Sequence, residues 1–208
     1  IRPPALSPQA WREVLTHPLL MAVVAVTALS GAGQFTLFAY FAPYYRQVLH
    51  ADAASVSLLF AWFGGFGLLG NVMLSHQVDR FGAGRAVGWL LALMLLSIAL
   101  WPLGVSVAAM MAVLLPWAFG GFASNSAQQA RLGAAAPALA PALMALNTSA
   151  IYLGQALGAG GGGLIVAANQ ATGQPLYAGL NHVALAWMAT ALLLSLWVAR
   201  RMGPSRHG

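Results

Sequence analysis

The sequence has little charge. Of its 208 residues only 6% are Asp, Glu, Lys or Arg, against roughly 25% in soluble globular domains. That shortage excludes an ordinary water-facing surface. There is no cysteine, which excludes disulfides and thiolate metal sites. There is no lysine: the nine basic residues are all arginine, against three acids, for a net charge of +6. The arginines are scattered singly between apolar runs, which suits membrane topology better than a nucleic-acid patch. No HExxH, GxSxG, Walker A or dinucleotide glycine fingerprint occurs. His17, His50, His76, His182 and His207 show no metal-ligand spacing. No enzyme activity, cofactor or metal is expected. Period-two alternation is missing too, which sets aside membrane-spanning strands.

What is present is hydrophobic residues, 60% of the chain. A spanning helix needs about 20 mostly apolar residues. Runs of that kind predict spans over about 18–45, 54–76, 86–103, 105–130, 142–168 and 180–199. The expected fold is an all-α, six-span membrane bundle over 18–201, with a cytoplasmic linker at 1–17 and a cytoplasmic tail at 202–208. In the linker, Ser7 can cap a helix with Pro8 at its first position. Trp11, Val14 and Leu15 then share one face, which fits a short amphipathic surface helix. A disordered linker is the equal alternative. Ile1 is not an initiator methionine, and IRPPALSPQAWREV has no signal-peptide apolar core. The chain is therefore expected to begin inside a longer protein or to have been trimmed.

The arginines orient the bundle. Arg2, Arg12, Arg80, Arg85, Arg131, Arg200, Arg201 and Arg206 all fall on one side of a six-span topology, and only Arg46 falls on the other. Positive charge marks the cytoplasmic side, so both ends of this segment are expected in the cytoplasm of a bacterial inner membrane protein. Trp89 and Trp101 lie near the two ends of the third span, where interfacial anchors occur. Pro102-Leu103-Gly104 predicts a tight turn.

The most polar run in the middle of the chain is SHQVDRFGAGR, residues 75–85. It is expected as a tight cytoplasmic loop between the second and third spans, with Gly82 and Gly84 allowing the reversal. Here the chain resembles the major facilitator superfamily, whose halves carry a D-R-x-G-x-x-R loop at this point. In this chain the loop stands as Asp79-Arg80-Phe81-Gly82-Ala83-Gly84-Arg85, preceded by Gly70-Asn71. Residues 146–158, LNTSAIYLGQALG, resemble the eleventh helix of the drug:proton antiporter and sugar-efflux branch, and WREVLTHPLL resembles the segment entering the seventh. Ser75, where the family commonly has Gly, and the run Gly160–Gly163 depart from the pattern.

The resemblance implies the C-terminal six-helix half of a twelve-helix transporter, built from two inverted three-helix repeats. It implies proton-coupled efflux of a small molecule such as a drug or sugar by alternating access. The partners implied are a missing N-terminal half, the lipid bilayer, the substrate and protons. It also implies a gating role for the loop residues Gly70, Asp79, Arg80, Gly82 and Arg85, with the loop acid beside the N-terminus of the fifth helix. An offset of 90 aligns Met21-Ala22-Val23 with Met111-Ala112-Val113, Gly31 with Gly121, Gly64 with Gly154 and Gly70 with Gly160, a weak sign of such repeats.

Polar residues in the spans are the candidates for a substrate pathway. Gln34 is an isolated amide in the first span. Asn125, with Gln128 and Gln129, makes one face near the cytoplasmic end of the fourth. In the fifth, Tyr152 and Gln155 fall on a stripe with Thr148, and Asn147 stands beside it. Gly154, Gly158 and Gly162, spaced by four, suit close helix packing on another face. The fourth-span face reads as readily as interhelical glue, and Gln34 and the fifth-span residues each read alone as structural; as a set Asn147, Tyr152 and Gln155 are preferred for the pathway. Glu13, Asp52 and Asp79 all lie outside the spans. A proton-carrying acid would therefore sit in the other half, or the protein is a uniporter. A complete six-helix homodimeric transporter and a non-transporting membrane scaffold or sensor are the remaining alternatives.

Overall fold

A computed structural model describes residues 7–202, and for residues 77–81 the backbone alone. Among the described residues the chain is helical and has no strand. The helices are α1 (Pro8–Thr16), α2 (Pro18–Phe38), α3 (Phe41–Gln47), α4 (Ala53–Phe81), α5 (Ala83–Ala99), α6 (Val107–Ala135), α7 (Ala140–Thr172) and α8 (Leu180–Met202). Five stretches are long and apolar enough to cross a membrane: Pro18–Gln47, Ala53–His76, Val107–Ala135, Pro137–Thr172 and Leu180–Met202. The protein is a multi-pass helical membrane protein.

Local chemistry sets the ends. Ser7 accepts a bond from the Ala10 amide at 3.1 Å, with Pro8 following, so α1 starts where the cap places it. Val14 is buried and Trp11 half-buried against the bundle, but Leu15 is 53% exposed. The expected apolar face of α1 is thus narrower than three residues. Asp52 caps α4, accepting the Ser55 amide at 2.8 Å, and that bond holds its carboxyl below the ordinary carboxylate range. A depressed folded pKa contributes stability above the unfolded pKa and loses it as pH falls through the folded one. Exchange of the Ser55 amide is therefore expected to be slow at neutral pH. The protection of that amide, the exchange rate relative to the intrinsic rate at the same pH, should fall as pH drops below the usual carboxylate range, and Asp52→Ala should lack that protection at every pH by hydrogen-exchange NMR or mass spectrometry.

Several expectations need correction. The 75–85 loop is mostly helix: α4 runs on to Phe81 and α5 starts at Ala83, so the turn is one residue, Gly82. Gly82 has φ +77°, a conformation that a side chain makes costly. Seventeen residues make α5 about 26 Å long, short of the roughly 30 Å apolar layer. It is bounded by Gly82 and by a 3-10 turn at Trp101–Leu103, so it is shorter than the third expected span. The first expected span breaks at Ala39-Tyr40. Arg131 lies within α6, not in a connection. Trp101 is no interfacial anchor: it is buried and stacks on Phe41 with centroids 5.3 Å apart. The gating-loop residues Asp79 and Arg80 have side chains outside the described residues.

The packing has a two-fold pattern. Number the bundle helices α2, α4, α5, α6, α7 and α8 as first to sixth. The first packs chiefly on the fifth and sixth, the fourth chiefly on the second and third, and the third meets the sixth. Exchanging helices one to three with four to six leaves this pattern unchanged. Two of the three glycine pairs at an offset of 90 do not share it, whereas Gly31 and Gly121 both lie against neighbouring helices. Gly154 is pressed on α2 while Gly64 is in open space, and Gly70 is pressed on α6 while Gly160 is open.

Candidate functional site: a polar seam between helices

The long helices approach most closely where they carry no side chain. On α7, a Cβ at Gly154 would strike the Ala28 carbonyl, and one at Gly158 would strike that of Ala32. A Cβ at Gly162 would lie 2.7 Å from the Tyr40 ring. The Tyr40 hydroxyl, at the break between α2 and α3, donates to the Ala159 carbonyl at 2.7 Å. On α4, Gly70 lies against the Phe119 carbonyl of α6, buried in a helix contact rather than in the loop. Of the other loop residues, Arg85 is exposed on the first turn of α5.

Between these contacts runs a seam of polar side chains. Thr27, Ser30 and Gln34 share one face of α2 at helical spacing. The Thr27 hydroxyl donates to Asn147 Oδ1 of α7 at 2.6 Å, and Asn147 is only 1% exposed. Gln128 of α6, 3% exposed, donates through Nε2 to the Val23 carbonyl of α2 at 2.6 Å. Gln34 accepts from the Trp117 indole at 3.1 Å and donates to the Ser30 carbonyl at 3.4 Å. Arg131, 5% exposed, donates to the Ser195 hydroxyl at 2.9 Å and the Ser195 carbonyl at 3.2 Å. A buried polar group without partners is costly in a dry interior, so these bonds tie α6 to α2 and α8 and α2 to α7.

The seam has two levels. At 1.5 Å per residue, Thr27 lies about 14 Å into α2, Gln128 about 11 Å from the end of α6, and Asn147 about 11 Å into α7. These three share one height. Gln34 and Trp117 lie about 24–27 Å from the same end, near the middle of the bundle. At the lower level Val26, Thr27, Ser30, Ser124, Asn125 and Gln128 line a partly open cleft with room for about one water-sized group, together with Val87 and Leu91 of α5.

The sequence candidates therefore divide. Gln34, Asn125 and Asn147 lie on the seam, although Asn147 is consumed by Thr27. Tyr152, 66% exposed, lies on the outward face of α7, and the half-buried Gln155 lies on the flank between that face and the packed one. On that face Thr148 and Ser149 spend their hydroxyls on the backbone, donating to Met144 and Ala145 carbonyls at 3.0 and 3.1 Å. Tyr152 and Gln155 are left to meet something outside the bundle. Thr27, Ser30, Arg131 and Ser195 escaped the sequence reading. The spacing 27, 30, 34 was available as a signal, whereas the Arg131–Ser195 pair, separated by 64 residues, offered none. Gln129 is exposed, off the seam.

A multi-pass helical bundle with a buried polar seam is the class that the architecture defines. No family model matches the chain. Relatives exist at lower identity. The chain is 28% identical to the inner membrane transport protein YdhP of Escherichia coli (strain K12), over 74% of this chain and 40% of that protein. It is 27% identical to the transcription regulatory protein OpdE of Pseudomonas aeruginosa, over 92% of this chain and 46% of that protein. It is 23% identical to the uncharacterized MFS-type transporter YbcL of Bacillus subtilis, over 83% of this chain and 44% of that protein. The chain spans less than half the length of these relatives.

Proposed function

We propose that this chain is one six-helix half of a secondary transporter of the major facilitator superfamily, working by alternating access against a second half. The exposed polar face of α7 carries the reading. Tyr152 and Gln155 lie about 18–22 Å into a 33-residue helix, near its middle. Polar groups at membrane depth face a water-filled path or another protein segment rather than lipid. A transporter half needs such a face, because substrate binds near the midplane between repeats. The two-fold packing pattern and the similarity to named transport proteins support the same reading.

The finer assignments belong to the proposal too. The activity is efflux of a small molecule, the branch is drug:proton antiport or sugar efflux, and both ends of this segment are cytoplasmic. The partner for the α7 face is the N-terminal half of the same natural chain. Gly82 supplies the sharp turn of the gating loop, and Asp79 the gate. Proton coupling on this reading uses an acid in the other half, since all three acids of this chain, Glu13, Asp52 and Asp79, fall outside the apolar runs of its sequence. The OpdE similarity, which reaches over nearly the whole chain, favours one second reading: a membrane sensor that binds without transporting.

Flux in proteoliposomes, made with the full natural chain under an imposed pH gradient, separates the two. A transporter moves substrate, and Tyr152→Ala and Gln155→Ala should each raise the apparent KM about five- to tenfold, the weight of one lost hydrogen bond to a ligand (about 1–1.5 kcal/mol). Saturable binding without flux would establish the sensor instead.

A further inference from the structure

Two antiparallel helices present matching chemistry to the outside of the bundle. The start of α5 lies beside the end of α8, for a Cβ at Gly88 would lie 3.7 Å from the Leu196 side chain. From that contact Arg85 stands about 4.5 Å nearer the start of α5, and Arg200 about 6 Å nearer the end of α8. Arg85 is turned about 60° from Gly88 around its helix, and Arg200 about 40° from Leu196. Because the helices run oppositely, both turns lead to the same side of the groove. Trp89 and Trp197 are each turned about 100° to that side, within about 1.5 Å of the level of the contact. All four side chains are exposed, Trp89 by 75% and Trp197 by 44%. Arg201 lies over the Trp197 ring at 5.7 Å. Behind the groove Arg131 is buried, and its described hydrogen bonds go to the neutral Ser195. Neither α5 nor α8 carries an acid. The turn before α5 adds Asp79 and Arg80, whose charges offset each other.

We propose that this groove binds the phosphate of an anionic phospholipid. Arg85 and Arg200 flank the phosphate from the two helices. Guanidinium groups pair well with phosphate oxygens, and basic clusters between membrane helices hold anionic headgroups. Trp89 and Trp197 wall the site at the depth where indole rings favour the interface. Deeper along the same side, Leu96 of α5, 48% exposed, and Leu193 of α8, 67% exposed, offer an apolar track to the acyl chains. A soluble phosphate compound has no use for that track, which is why the occupant is a lipid. The groove lies away from the face given to the second half: α5 packs chiefly on α6 and α8, whereas α7 packs chiefly on α2. The site stands apart from the transport reading, since a sensor in the same membrane would hold the same lipid.

Native mass spectrometry of the full natural chain, stripped of lipid in a neutral detergent, tests the site with phosphatidylglycerol and phosphatidylcholine as probes. Phosphatidylglycerol is expected to bind at least about tenfold more tightly, as two arginines predict. Arg85→Gln and Arg200→Gln, neither of which breaks a described hydrogen bond, should each weaken it about fivefold. The double variant should abolish the preference while leaving phosphatidylcholine binding unchanged. Arg12→Gln is the control, because Arg12 is exposed on α1, whose Val14 packs in one cluster with Val198 of α8. It should leave the affinity as it was. Equal affinity for the two lipids would overturn the site. So would equal weakening by Arg12→Gln, the mark of a diffuse basic surface. Displacement of phosphatidylglycerol by glycerol phosphate would overturn the lipid as occupant in favour of a soluble phosphate compound.

Discussion

Gly154→Val is expected to remove most of the folded protein. Gly154 lets α7 touch α2 backbone to backbone, and a Cβ there would meet the Ala28 carbonyl. A flexible side chain could swing aside, but a helix carbonyl cannot. The two helices would have to separate along their whole contact, which includes Gly158 on the Ala32 carbonyl and Gly162 on the Tyr40 ring. Overpacking usually costs about 1–3 kcal/mol, and a backbone obstacle puts this case at or above the upper end. Association of membrane helices depends on such close approach, because lipid supplies no hydrophobic drive between them. The measurement is the monodisperse fraction and melting temperature in detergent. Gly161→Val serves as control, since nothing lies within 4 Å of a Cβ at Gly161. Equal loss in both variants would mean that helix propensity, and not the α2–α7 contact, is responsible.

Trp117→Ala should cost about 3–5 kcal/mol, the range for emptying a large buried aromatic site. Trp117 is completely buried and sits at the crossing of α6 with α2 and α4. Its ring meets Phe41 edge-on at 5.2 Å and Phe63 at 5.8 Å. Its indole N–H holds Gln34 Oε1 at 3.1 Å. Trp117→Phe keeps most of the volume and leaves the Gln34 oxygen unmatched, which predicts a smaller loss of about 1–3 kcal/mol. Pairing Trp117→Phe with Gln34→Leu should recover part of that loss. Thermal unfolding of the four proteins measures the coupling directly, and additive losses would show that the bond carries no energy of its own.

The part of this molecule legible in its sequence is the part that depends on neighbours along the chain. Apolar length and scarcity of charge required membrane helices, and α2, α6, α7 and α8 lie where the runs lie. Cap chemistry placed the start of α1 at Ser7-Pro8. Short-range signals misled at SHQVDRFGAGR, because polarity reads as loop. Polar residues also extend a helix past the apolar layer, and here only Gly82 leaves the helical conformation.

Spacing on α7 singled out Gly154, Gly158 and Gly162, but with 23 glycines in the chain spacing could not say which of them a neighbour touches. Tertiary structure decided that, and it decided which polar groups meet. Thr27 with Asn147, Gln128 with Val23 and Arg131 with Ser195 are separated by 120, 105 and 64 residues. No periodicity links residues so far apart, so each reads alone as an unexplained polar group in an apolar helix. Packing turns most of them into satisfied pairs and, among the described residues, leaves Gln128 Oε1 and the Tyr45 hydroxyl without a partner. The reason is physical: burial makes an unpaired donor or acceptor costly, but which partner it meets depends on how helices distant in sequence lie against one another.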